Sequence, residues 1–520
     1  MMTSACSRDR PFQRCHLCVI LHPEANPMPQ AAPNRSAEPT RSVSRQFTMA
    51  STLAAYSTLI LVGITHHEPW ADEAQAWLLS RDLSYHYLVF HQLAYEGHPP
   101  LWPTILWVAN HWFHLPYQSL GWIAGVCAIA GCWFFARYSP FPAVIRVLLP
   151  FTYFIAFQYA IVARPYVLLP LFAFMAAHFF ADAEQHPWRF IAATSALALL
   201  SATGVMLALG LTASFAWYSF RLWKEIPAQA RKQLIGAAVA FCIVIAFVAL
   251  VNWPPSDRFF ARFDRPANEN FGLTVLPAVI SKAFFGSLAP SIAFLFVVGG
   301  WCAWRHRFLP FALPTVFLLV LFVKLYVNFW HFGALTLIAV TALWIAWPKE
   351  RNEGRRRPER VLCAVMLFGV ISLSVVQVYW SARTLAMDYS GAYSGSLDAA
   401  EYLRSVGADA SSTCGFDYTS VAIQPYFPES IFGNWPHGES FWRSDTANRV
   451  NQSCYNAEWL VVPSSRFDTA EQLFSADRRA RSLGYVPVHV SKGAIFFEGR
   501  EVAPADFVVY RLMDKGTSNY

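Results

Sequence analysis

Apolar stretches of nearly bilayer-spanning length recur along most of this chain, and that pattern leaves few folds open to it. A spanning helix needs roughly 20 apolar residues, slightly fewer where Trp, Tyr and charged flanks anchor its ends. On that measure about eleven spans are expected, at 49–65, 119–136, 144–163, 166–181, 189–203, 205–222, 233–251, 287–303, 309–323, 332–347 and 361–380. Composition agrees: 55% hydrophobic against 14% charged residues excludes a soluble globular chain. The 16% aromatic content suits helices whose ends sit at headgroup level. The net charge of +7 acts through its placement in short loops and against anionic lipid, so membrane lipids are expected partners and nucleic acid is not.

Cytoplasmic loops collect Lys and Arg, which sets orientation. With the N-terminus cytoplasmic, the turns holding Arg137 and Arg146, Arg189, Arg221 to Lys232, Arg305 and Arg307, and the run Lys349 to Arg360 all fall on the cytoplasmic side. The C-terminus is then extracytoplasmic, in the inner or plasma membrane of a cell envelope. The exception is 252–286, where Arg258, Arg262, Arg265 and Lys282 lie on the other face and need another role. The stretch Leu101 to Leu115 is left out of the count, because its prolines and Asn110, His111 and His114 suit an interfacial or re-entrant segment.

Three regions follow. Residues 1–48 are polar, Arg-, Pro- and Ala-rich and expected to be disordered, with Met28 or Met49 as alternative starts. Their Cys15-x-x-Cys18 has no second ligand pair at zinc-site spacing. Residues 49–380 form the membrane domain. Residues 381–520 open on a Ser/Gly linker and read as a small extracytoplasmic α/β domain, where Cys414 and Cys454 have the opportunity to pair.

The long loop between the first two spans, His66 to about Tyr117, carries H-E-P-W-A-D-E-A-Q-A-W followed by E-G-H-P-P-L-W. Pro69, Asp72 and Glu73 are what a helix start requires. Trp77, Leu78, Tyr85, Leu88, Val89 and Gln92 then suit an interfacial helix. Ionisable groups at the edge of a membrane domain also make a functional hypothesis, with Asp72 as a base and Glu73 and His98 beside it.

These stretches, with A-R-P-Y-V-L-L at Ala163 to Leu169, resemble membrane glycosyltransferases of the GT-C architecture. That group includes the protein O-mannosyltransferases, the aminoarabinose transferases of lipid A and relatives of the Rhizobium lipopolysaccharide galacturonosyltransferases. Order and membrane context extend the likeness over roughly residues 50–350. Two departures stand out. Tyr166 occupies a place where many members carry a second acidic residue, and a later Arg-His pair appears here as W-H-F-G, with only His331 matching.

The resemblance implies an enzyme that moves a sugar from a polyprenyl phosphate to a hydroxyl of a lipid, polysaccharide or protein on the extracytoplasmic face, with inversion. Such chemistry needs a carboxylate for the acceptor proton and cations for the departing phosphate. Asp72, with Glu73, is the expected catalytic pair. His98, Arg164, Tyr166, Arg258, Arg262, Lys324 and His331 are the expected substrate contacts. No motif demands a metal or cofactor, although an acidic pair beside phosphate can recruit a divalent ion. The alternatives are a polyprenyl-linked saccharide transporter or flippase, or a non-catalytic scaffold.

Overall fold

The computed structural model describes residues 38–258, 272–348, 357–435, 437–446, 456–464 and 478–513. The leader to residue 37 with its cysteines, Arg262, Arg265 and Cys454 lie outside these. Fourteen helices carry the argument: α1 (Glu38–His66), α2 (Ala71–Asp82), α3 (Leu101–His111), α4 (Ser119–Tyr138), α5 (Leu169–Phe179), α6 (Pro187–Ala198), α7 (Ala202–Arg221), α8 (Ala228–Val251), α9 (Leu276–Phe284), α10 (Leu288–Trp304), α11 (Leu309–Lys324), α12 (Gly333–Ala346), α13 (Arg357–Ser390) and α14 (Ser396–Ser405).

The chain is a polytopic helical membrane protein with a small α/β domain at its C-terminal end. Among the described residues, six helices are long and apolar enough to cross a bilayer, and the bent pair α9–α10, with a 76° break, makes up to seven. Eleven were expected. The remaining apolar stretches are helical but short, as in α6 and α11, with one exception.

That exception is 144–163, expected as a single span. It is broken into a short helix at Ala143–Leu148, a 3-10 turn around Pro150 and a π turn at Phe154–Gln158. Irregular backbone is tolerated at membrane depth only where protein surrounds it and supplies its hydrogen bonds. Every residue from Thr152 to Pro170 is buried, and Tyr56 of α1 donates to the Ile155 carbonyl at 2.9 Å.

Local chemistry sets other boundaries. Ser201 Oγ accepts from Gly204 N at 3.1 Å, capping α7 and separating it from α6. Gly210 of α7 faces the backbone of Pro314 in α11, where a Cβ would collide, so these helices approach closely. α12 is enclosed on all sides, with only Ile345 less than fully buried, and forms the centre of the bundle.

The C-terminal sheet has the order β1-β2-β6-β3, from β1 (Thr413–Gly415), β2 (Trp459–Pro463), β3 (Tyr485–Ser491) and β6 (Phe507–Leu512). β1 and β2 are parallel and the other pairs antiparallel. All of β2 is buried, and its side chains alternate between two cores. Leu460 and Val462 join Tyr485 and Tyr510, whereas Trp459 and Val461 join α14 and Ala71, Ala74 and Leu78 of α2. Cys414 of β1 is disulfide-bonded.

A separate hairpin, β4 (Ala494–Phe497) and β5 (Arg500–Pro504), belongs to the membrane domain's core rather than to the sheet. Phe497 packs edge-on against Tyr153 at 5.4 Å and against Phe329 at 4.9 Å. Lys282 of α9 pairs with Glu498 at the hairpin turn, 3.2 Å away. The two expected regions therefore share one apolar core.

Candidate functional site

α2 begins where the sequence places a helix start, but eight of its 12 residues are buried and it does not lie as an exposed interfacial helix. Trp77 enters the bundle core, while Ala71, Ala74 and Leu78, spaced i, i+3 and i+7, face the C-terminal domain. The exposed aromatic surface comes later, at Tyr85, Tyr87 and Phe90. α3 likewise ends in exposed Trp112 and Phe113.

Glu73 is the cap of α2: one carboxylate oxygen accepts from Trp70 N at 3.1 Å and the other from Ala163 N at 2.6 Å. His67 lies between that carboxylate (3.5 Å) and Asp388 of α13 (3.0 Å). Burial alone would lower the His67 pKa, but the two carboxylates outweigh it and raise it to about 10. Glu73 thus ties α2 to the residue preceding Arg164 and does not reach the cavity wall.

Asp72, one residue earlier, faces a cavity of about 630 Å³. Its Oδ2 pairs with Arg164 Nη2 at 2.7 Å, and no described residue pairs with Oδ1. Burial raises the Asp72 pKa, with Arg164 opposing that and Glu73 adding to it. The Arg164 guanidinium stacks over Trp330 at 4.4 Å and Tyr166 at 5.3 Å, which fixes its plane.

A chain of polar contacts crosses the cavity floor. Tyr166 Oη is 2.9 Å from His331 Nε2 and 3.5 Å from His98 Nε2. His98 Nδ1 meets the Glu96 carbonyl at 3.0 Å, and Asn328 N donates to His331 Nδ1 at 2.9 Å. Accepting at Nδ1, neutral His331 carries its proton on Nε2 and donates to Tyr166, which can donate on to His98, whose own proton sits on Nδ1. Trp330 Nε1, 3.1 Å from His331 Nε2, then makes a close approach to an atom that is itself a donor. Burial, then the Arg164 charge, lowers the His98 pKa to about 4, so it is neutral at pH 7.

Glu96 is a cavity residue the sequence reading passed over. Gln75 Nε2 donates to it at 3.2 Å, Ser440 bonds it from the C-terminal domain, and burial raises its pKa to about 7 against those bonds. Arg258 lies beside it. Gly97, at φ +68°, leaves room for that guanidinium, since a Cβ there would stand 2.7 Å from Nη2. The signal was present: a carboxylate two residues before His98 in E-G-H-P-P. No such signal marks Tyr418, Phe441 and Trp442, which the C-terminal domain brings to the same cavity.

Asp72, His98, Arg164, Tyr166, Arg258 and His331 are therefore gathered at one cavity, with Glu73 behind it. Lys324 is exposed and does not line it, and Arg262 lies outside the described residues. No group of three or more His, Cys, Asp or Glu side chains converges as a metal site among the described residues.

Fold and cavity together define a polytopic membrane protein with an ionisable chamber closed by its C-terminal domain. No family model and no curated protein matches the chain. Among solved structures it is similar to the crystal structure of ArnT from Cupriavidus metallidurans bound to undecaprenyl phosphate, at 13% identity and a TM-score of 0.48, over 90% of this chain and 98% of that one.

Proposed function

We propose that this chain is an integral membrane glycosyltransferase that takes its sugar from a polyprenyl phosphate and passes it to an acceptor hydroxyl on the extracytoplasmic face. The reading rests on the first-loop motifs and on one observation above all: a carboxylate, Asp72, held by an arginine at the wall of a cavity that also contains Arg258.

Each step follows from charge. The donor phosphate leaves as an anion, and the preorganised Arg164 guanidinium stabilises it as the C1–O bond breaks. The pair to Asp72 occupies only Nη2 of Arg164, so its other N–H donors are available for phosphate oxygens. Asp72 Oδ1 takes the acceptor proton while the acceptor oxygen bonds to C1. The phosphate keeps the electron pair of the broken bond, and a single displacement inverts the anomeric centre. The lipid tail has a path beside Leu321, Phe322 and Leu325 of the α11 end.

The test is sugar transfer in membranes, with labelled polyprenyl-phosphate sugars as donors, comparing wild type with Asp72→Asn at equal abundance. Loss of about 10²–10⁴-fold in the variant is expected for removal of a general base. Transfer by Asp72→Asn at the wild-type rate overturns the assignment.

A further inference from the structure

We propose that the face of the cavity contributed by the C-terminal domain is a subsite for a neutral saccharide, making the acceptor a glycan hydroxyl; this rests on the glycosyl-transfer reading above.

The cavity has two unlike sides. Toward α11 it is walled by aliphatic and aromatic side chains of the membrane domain. Opposite, Tyr418, Phe441 and Trp442 form a cluster with ring centroids 4.5 to 5.8 Å apart. Phe441 is buried, whereas Tyr418 is 37% exposed and offers its ring to an incoming group. Aromatic rings with a few convergent polar groups are how proteins hold amphipathic ring compounds, the rings covering C–H faces and the polar groups meeting hydroxyls. Gln75, Glu96 and Arg258 supply those groups here. Arg258 is 9% exposed and its Nε is buried with no hydrogen-bond partner, a donor left for a ligand.

Charge decides against an anionic acceptor. Among the described residues, the cations near this side lie beside carboxyl groups. Arg258 faces Glu96, and Arg443 lies 3.9 Å from both Asp257 and Glu439. Arg81 pairs with Asp82 at 2.6 Å. A lipid phosphate entering here meets the Glu96 carboxyl group, whereas an uncharged sugar ring meets stacking surface and hydrogen bonds.

The full chain in lipid nanodiscs is titrated calorimetrically, without donor, with neutral tetrasaccharides of glucose, mannose and galactose, with vesicles of phosphatidic acid, and with a Ser/Thr-containing peptide. At least one neutral tetrasaccharide is expected to bind. Trp442→Ala should weaken it by about tenfold, Trp442→Phe should largely restore it, and Val488→Ser on the exposed side of β3 should leave it unchanged. Tyr418→Ala is the second variant if Trp442→Ala does not fold. Binding by the anionic vesicles or the peptide alone, binding by none, or unchanged affinity in a folded Trp442→Ala or Tyr418→Ala protein overturns the subsite. Saccharide binding without transfer from any donor leaves the subsite standing and removes the reaction. Transfer to a lipid or peptide without saccharide binding does the reverse.

Discussion

The buried carboxylates of the first loop have divergent fates, and a helix start explains why. Adjacent residues on a helix point about 100° apart, so Asp72 faces the cavity while Glu73 turns back to cap the backbone. Glu73 is then matched by His67, which also meets Asp388. Its raised pKa has a consequence for stability. Below pH 6.5 folded and unfolded chains both carry the imidazolium, and its contribution is fully present. As pH rises toward about 10 the unfolded chain sheds that proton first, so the contribution falls away. The melting temperature is therefore expected to decline across that window. His67→Gln should lower it at pH 6, by about 3–5 kcal/mol of stability, and flatten the decline; a wild-type-like pH profile in the variant would remove His67 from this role. Asp72, Arg164 and His98 were legible because carboxylate, guanidinium and imidazole are uncommon beside apolar spans, where only function or pairing keeps them. The division of labour between Asp72 and Glu73 was not, since sequence spacing does not say which carboxylate finds backbone donors.

Among the elements, apolar length foretold helices well and their continuity poorly. The stretch 144–163 has the composition of a span, yet Pro150 and the donated bond from Tyr56 favour a broken path, and only tertiary burial makes that path affordable. The β4–β5 hairpin was not readable as part of the bundle, because nothing local tells Phe497 which core to enter. Its position yields a prediction. Phe497→Ala should cost about 3–5 kcal/mol and shift melting of the membrane helices and of the C-terminal sheet together, observed by circular dichroism at helix- and strand-sensitive wavelengths. Separate transitions, with only the sheet shifted, would show that the hairpin is peripheral.

For the whole molecule, the loop charges supply the expected orientation. Position 482 in the C-terminal domain and position 224 in the basic turn after α7 are both exposed. With native Cys242 replaced by serine, Ser482→Cys is expected to react with a membrane-impermeant maleimide in intact cells, and Lys224→Cys only after permeabilisation. The opposite pattern would invert the topology and put the chamber on the cytoplasmic side.

The hairpin that completes the bundle core also imposes an order on biogenesis. Its residues are made after every helix of the bundle, so a nascent chain holds an unfinished core around Tyr153, Phe154 and Phe329 until the hairpin itself has left the ribosome. Synthesis that stops short leaves a gap beside the chamber. Quality-control proteases that recognise exposed apolar surface would then meet truncated copies before those copies could act on lipid.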